Sequence, residues 1–400
     1  RKDESVKRII VVILMLFFTA GCGKTALPQL NPAPPVITLW HYYQGDTLKG
    51  LEKAEQELRK TNPAFKLELV YVPADKYFTR IAQAQAAGKG PDLFLVSGEQ
   101  VSGLYTGGTI EPLDNLFDPK LYFKSGIEAL SFNGSIMAVP KSVRVPLMVY
   151  NRDLISAPPD LQQIPDAAGK ITKNKAAGIS GDLSNFFLTG GIYSAFGGRF
   201  YARDQRPDLN TPETLNFLQT MIGLGAIKGG IYDTTVSRNL ISAGATPFGL
   251  LDSGELNAYK GLGKNLGFSS IPGPGGKEGK NYVRAEGFAV SSNSPFAKEA
   301  VAAAVYLTSP PVLGLYDIPY GNFPASLGSY DQPPLKDSPE AKLVKRLAAS
   351  GTGYPTDSRT NLLIPIASQM IKDVLNGTSP DQAASSAQDK ALKALGFDKP

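Results

Sequence analysis

From residue 36 onward, apolar positions recur in two rhythms. Val36-Ile37-Thr38-Leu39-Trp40 alternates and is β-branched, which predicts a strand. Residues 48–60 place Leu51, Ala54 and Leu58 at helical spacing under a charged outer face. Residues 65–72 and 91–96 read as strands, and residues 75–87 as a helix stopped by Gly88-Lys89-Gly90. This β-α-β-α-β order predicts a mostly parallel sheet with helices on both faces. Ligands of such sheets meet the loops at the carboxyl ends of strands. That rule selects Trp40, Tyr42, Tyr43 and Gln44 after the first strand, and the exit loop carrying Glu99 and Gln100 after the third. Along an extended loop Tyr42 and Tyr43 should point to opposite sides, leaving at least one for a ligand.

The pattern changes at residues 133–154, NGSIMAVPKSVRVPLMVYNRDL. Asn133-Gly134 is a tight-turn signal. Residues 136–139 read as a short strand whose ladder Pro140 should stop. Residues 145–150 read as a strand buried on both faces. Between them Lys141-Ser142-Val143-Arg144 is a polar gap in apolar surroundings. The expectation is a chain that leaves one lobe at Pro140 and enters a second near Val145, with a ligand site in the gap. Arg144 then has two readings, a ligand contact or a brace paired with an acid such as Glu286.

Further on, residues 184–200 are the most aromatic stretch, interrupted by Gly190-Gly191. Thr211-Pro212 starts a helix, with Thr as N-cap and Pro at the first position. Residues 245–251 are strand-like and run into Asp252-Ser253-Gly254-Glu255. Residues 298–307 form an amphipathic helix, broken by Pro310-Pro311. Residues 338–349, 361–375 and 379–395 read as helices, and Asn376-Gly377 as a C-cap stop.

Length and composition narrow the class. Four hundred residues exceed one compact core and suit two lobes. The formal charge of +5 is spread without a basic block, so nucleic acid is not an expected partner. A single His and a single Cys leave no intramolecular disulfide, no His-based metal site and no Ser-His-Asp set. No metal or cofactor is expected. Carboxylate pairs such as Glu99 with Glu255 or Glu286 could imitate a glycosidase, but accepting hydroxyl hydrogen bonds is the favoured role, and no enzyme activity is expected. At the N-terminus Lys7-Arg8 precede ten apolar residues, 9–18, and then Thr19-Ala20-Gly21-Cys22. This predicts a secretory leader over 1–21, too short to span a bilayer permanently. The Pro-rich stretch to residue 36 reads as a tether.

The order of these segments carries a resemblance. "NG.I.A.P" followed by "YN.DL", "GKGPDLFLVSGEQVSGLYTGGTIEPL" and "EGFAVSSNSPFAKEAVAAAVYLTSP" resemble the extracellular solute-binding proteins of ABC importers, in the sugar-binding branch that includes maltose-binding proteins. The resemblance covers most of the chain after residue 36. It implies an α/β, two-lobed periplasmic-binding-protein-like fold of type II with a ligand cleft between the lobes. Residues 37–143 with 287–324 would form the first lobe, and 147–282 with 327–397 the second. It implies capture of a small solute, most simply a saccharide, by hinge closure and delivery to the permease subunits of the importer. The alternatives are an anionic or phosphorylated polyol as solute, or a secreted carbohydrate-active enzyme. By position, ligand contacts fall on Trp40, Tyr42, Tyr43, Gln44, Glu99, Gln100, Arg144, Asn185, Phe187, Asp252, Glu255 and Glu286. Aromatic faces suit the C–H face of a sugar ring, and amides and carboxylates suit its hydroxyls. The loop at 252–255 lacks the aromatic that relatives place there, and Arg144 stands where the maltose branch has an acid. Ala-Gly before Cys22 resembles a lipobox, implying a palmitate-bearing protein anchored at Cys22 and facing the periplasm or cell exterior, and a monomer is expected.

Overall fold

The computed structural model describes residues 33–61, 64–171, 179–225, 234–262 and 265–397. The expected leader over 1–21, and the expected tether as far as residue 32, lie outside the described residues. The first strand, β1 (Val36–His41), buries Ile37, Leu39 and His41 and turns Val36, Thr38 and Trp40 to the other face. It is followed by α1 (Gly45–Thr61), β2 (Lys66–Tyr71), α2 (Tyr77–Ala86), β3 (Leu93–Ser97) and α3 (Gly98–Thr106). β1 pairs in parallel with β2 and β3, as the helix-strand alternation requires.

Asn133 and Gly134 both take positive φ, 51° and 85°, and close the hairpin of β4 (Ser131–Phe132) and β5 (Ser135–Ile136). Pro140 does not stop the next strand. β6 (Val139–Arg144) runs straight through it and contains the whole expected gap, with Lys141, Ser142 and Val143 buried. The reason is the register against β11 (Tyr282–Val290). Gly287 faces Pro140 and Glu286 faces Ser142, so Lys141 is an extra residue at an irregular step, where a missing N–H costs the ladder little. The chain passes Val145 and enters β7 (Pro146–Asn151), buried along its full length as expected.

β7 belongs to a second sheet. Its order is β10 (Leu266–Ser269), β7, β9 (Phe248–Asp252), β8 (Ile179–Ser180). The first sheet has the order β12 (Phe323–Pro324), β6, β11, β3, β1, β2, with β13 (Thr352–Gly353) alongside β11. Two α/β lobes are thus built, but their sheets are mixed. β11 and β12 return from elsewhere in the chain and enter antiparallel to β3 and β6, which local βα alternation could not reveal. The helix Pro339–Ser350 buries Ala341, Val344, Leu347 and Ala348 in an apolar cluster that holds the first sheet together with Leu147, Val149 and Leu251 of the second, and Ser125 Oγ donates to the Ala348 carbonyl at 2.6 Å. The second apolar cluster resumes only at Tyr354. Pro310-Pro311, expected as a breaker, open the helix Pro310–Tyr316, where a missing N–H is harmless.

Candidate functional site: a charged cleft at the strand ends

Beneath the crossing lies a buried ion cluster. Lys141 Nζ stands 2.5 Å from Glu286 Oε2 and 3.1 Å from Asp317 Oδ1, and it donates to Tyr43 Oη at 2.8 Å. Tyr42 Oη donates to Glu286 Oε1, and Asn322 Nδ2 donates to Asp317 Oδ1 at 2.9 Å. Lys141 is 1 % exposed and Asp317 not at all, so removing either charge strands the other in a poorly polarisable interior. Burial alone would neutralise the lysine, but Asp317 and Glu286 together outweigh it and hold its pKa above the ordinary value. Burial also raises Glu286, and Lys141 with the Tyr42 hydroxyl more than reverses that, leaving it below the usual carboxylate range. Asp317 ends above it. Burial is its largest influence, one ammonium serves two acids, and its Oδ2 has no partner. The cluster joins the end of β1, the irregular step of β6, the centre of β11 and the approach to β12.

Tyr42 and Tyr43 therefore both turn inward, contrary to the extended-loop expectation. The chain bends after β1. Tyr43 N donates to His41 Nδ1 at 3.2 Å, and Gly45 at φ 57° turns it into α1. The two phenol rings meet edge to face at 5.7 Å and converge on the same charges.

Above this cluster a cavity of about 280 Å³ is lined by Ser97, Glu99, Arg144, Arg284, Ala285 and Glu286. Glu99 sits in the first turn of α3 and the other five at the ends of β3 and β6 or on the facing part of β11, the strand-end position that α/β sheets use for ligands. A larger hollow of about 430 Å³ is lined by Val36, Glu55, Arg59 and Lys66–Leu69 residues at the amino ends of β1 and β2. That end of a parallel sheet is the less favourable one for a ligand. In the cavity, Arg284 Nε is 2.8 Å from Glu99 Oε1, although its N–H is not aimed for a hydrogen bond. Its guanidinium lies 4.3 Å from the Phe187 ring centre and 4.7 Å from that of Tyr354, which is cation–π geometry. Arg284 thus links α3 of the first lobe to aromatics of the second.

The Arg144 side chain is exposed and has neither an ion pair nor a hydrogen bond among the described residues. The brace expected between Arg144 and Glu286 is formed instead by Lys141, three residues earlier, because the irregular step turns Lys141 inward. Arg144 lies over Gly254, where a Cβ would come within 3.1 Å of its Nε.

The other expected contacts divide. Glu99 and Glu286 line the cavity with Arg144. Gln100 does not. The expected exit loop is already the first turn of α3, and Gln100 Oε1 accepts from Ser97 N at 2.8 Å as half of a capping box. Asn185 caps the helix Phe186–Ala195, accepting from Phe187 N at 3.1 Å. Phe187 is buried and meets the site only through Arg284. That helix runs through Gly190 and Gly191, whose bare Cα atoms let Tyr282 and Asn281 pack within contact distance. Asp252 accepts from Gly254 N at 2.9 Å; burial raises its carboxyl pKa and the Arg144 charge opposes the rise. Glu255 follows on the same turn, half-buried. Gln44 is held by the Tyr71 hydroxyl at the outer edge of β2, away from the cavity lining. Trp40 is half-buried within β1 rather than in a loop, and its carbonyl accepts from Tyr77 Oη at 2.6 Å. Sequence reasoning missed Lys141, Asp317 and Tyr354 as parts of this assembly. A lysine inside a strand pattern, next to a proline, was the one available signal.

The family model described as bacterial extracellular solute-binding protein matches residues 53–343. The maltotriose-binding protein of Pyrococcus abyssi is 23 % identical over 320 residues, covering 76 % of this chain and 69 % of the relative. The galactooligosaccharide-binding protein of Bacillus subtilis is 21 % identical over 399 residues, 93 % of each. A cyclo/maltodextrin-binding protein solved with maltotetraose superposes with a TM-score of 0.79 at 20 % identity, over 92 % of this chain and 99 % of that one. A Staphylococcus aureus extracellular solute-binding protein solved with maltose gives 0.76 at 20 % identity, over 92 % and 99 %. With a match across most of its length and a two-lobed fold to accompany it, this chain belongs to the bacterial extracellular solute-binding protein family, whose members bind solutes for transport and are not enzymes.

Proposed function

We propose that this protein captures a saccharide between its two lobes and presents it to the permease subunits of an ABC importer. The observation that carries the reading is the cavity at the strand ends. Carboxylates and guanidinium groups converge there, and Arg284 rests on the buried rings of Phe187 and Tyr354. Polar groups of both signs suit hydroxyls, which donate and accept. The relatives' named ligands, maltotriose and galactooligosaccharide, support a sugar of more than one ring. Solute drives closure by touching the closed state better than the open one, and Arg284 and Arg144 each stand against residues expected in the second lobe. The crossings near residues 142–146, 282–287 and 324–327 would supply the hinge. Thermal-shift screening with oligosaccharides tests this. A ligand at 100 times its dissociation constant stabilises by about 2.7 kcal/mol, roughly 3–4 °C for a chain of this size. A panel of neutral and acidic oligosaccharides that leaves the melting temperature and calorimetric heats unchanged overturns the reading.

The leader and the Ala-Gly-Cys22 sequence support export and lipid anchoring at Cys22, on the periplasmic or outer side of the membrane. Two or more acyl chains hold a protein far better than one. Cys22→Ser should move the protein from the membrane to the soluble fraction; retention after a salt wash overturns the anchor. Among the described residues no helix is long and apolar enough to cross a membrane.

A further inference from the structure

Arg144 and Arg284 are direct cross-strand partners of β6 and β11. Side chains so paired lie on one face of the sheet, and like charges there repel. Arg284 is answered by Glu99. Glu286, the next acid in the lining, is taken by Lys141 and Tyr42. Asp252 is the remaining acid whose charge reaches Arg144, but its carboxylate caps the Gly254 turn and makes no ion pair with Arg144. Glu255, on the same turn, makes none with it either. Arg144 is therefore a guanidinium on the cavity wall with its forked donors unused, opposite a second cation. The second-lobe turn at Gly254 lies against it. An arrangement built only for neutral hydroxyls has no need of this repulsion.

We infer that the cleft selects an acidic saccharide, one carrying a uronic acid carboxylate, and that Arg144 is the residue that binds this group. This deepens the proposed saccharide function and rests on it. A planar carboxylate matches a guanidinium in two parallel hydrogen bonds. It also relieves the Arg144–Arg284 repulsion. Glu99 and Glu286 share the lining, so a monoanion is tolerated better than a phosphate dianion. Because the Gly254 turn touches Arg144, an anion bound there contacts both lobes and favours closure.

Calorimetric titration of the purified full chain tests the inference. The probes are trisaccharides with one uronic acid, in glucose, galactose and xylose series, each beside its carboxyl-reduced neutral counterpart, and a sugar phosphate of similar size. At least one acidic probe should bind about ten- to a hundredfold tighter than its neutral counterpart, the effect of one charge-assisted hydrogen-bonded pair. In Arg144→Gln that ratio should collapse to within about twofold, and in Arg144→Lys, which keeps the charge and loses the fork, it should be intermediate. Apo melting temperatures of both variants check folding; if the Gln variant fails to fold, the wild-type ratio and the Lys variant decide. Neutral sugars binding as well as acidic ones, or a ratio untouched by either variant, overturns the inference and leaves the saccharide reading standing. Tighter binding of the phosphate than of any uronate overturns the carboxylate assignment. No binding by any saccharide sinks both.

Discussion

We predict that Lys141→Met is among the most destabilising single substitutions in the protein. The change keeps a long side chain and so opens little space. It leaves Glu286 and Asp317 facing each other without their ammonium, one of them wholly buried. Removing one partner of a buried pair costs about 3–5 kcal/mol. Unfolding entropy of about 2.1 cal/mol/K per residue, over roughly 360 residues, converts this into about 4–7 °C. Urea denaturation and calorimetry at pH 7 would read it. The pH dependence separates charge from packing. In the wild type the pKa of Glu286 is depressed by Lys141 and Tyr42, so its contribution is present above the unfolded carboxylate pKa and lost as pH falls through the folded one. In the variant both acids are raised, so stability is lost as pH rises through their folded values. The deficit against wild type should be full at pH 7 and shrink towards pH 4. Adding Glu286→Gln and Asp317→Asn should restore part of it at pH 7. A variant melting within about 1 °C of wild type, or a deficit constant with pH, would refute the view that these charges are an obligate set.

Other outcomes follow from single contacts. His41 is held neutral by burial, its pKa falling to about 4, and its Nδ1 accepts from Tyr43 N. The unfolded chain therefore binds the extra proton first, and stability should decline as pH drops from about 6.5 towards 4; His41→Gln should flatten that limb in a melting-temperature profile. Gln100→Ala should cost about 1 kcal/mol through the lost cap of α3 while leaving saccharide affinity within twofold, whereas a large affinity loss would return Gln100 to the ligand. Gly98→Ala places a Cβ 2.2 Å from the Ala129 carbonyl oxygen, a backbone atom with nowhere to go, and should destabilise by about 1–3 kcal/mol in denaturant titration. Arg284→Gln removes the cation between Phe187 and Tyr354 and should weaken saccharide binding at least fivefold by calorimetry; unchanged affinity would show that the lobes close without it.

Local pattern determined much of this protein. The period of two in β1 and the period near four in α1 reflect one buried face each, which sequence records directly. Asn133-Gly134, Thr211-Pro212 and Asn376-Gly377 mark turns and caps because backbone geometry there depends on the residues themselves. The order of segments marked the family, and the rule for strand ends marked Glu99. What the sequence could not show was which charges meet. Lys141 and Glu286 are 145 positions apart, and Lys141 faces inward only because β11 enters antiparallel and slips register against Pro140. That pairing took Glu286 from Arg144, drew the half-buried Tyr42 and Tyr43 towards the buried charges and left Arg144 open on the cavity. Long-range strand register is set by the joint burial of two sheets, and no local periodicity encodes it.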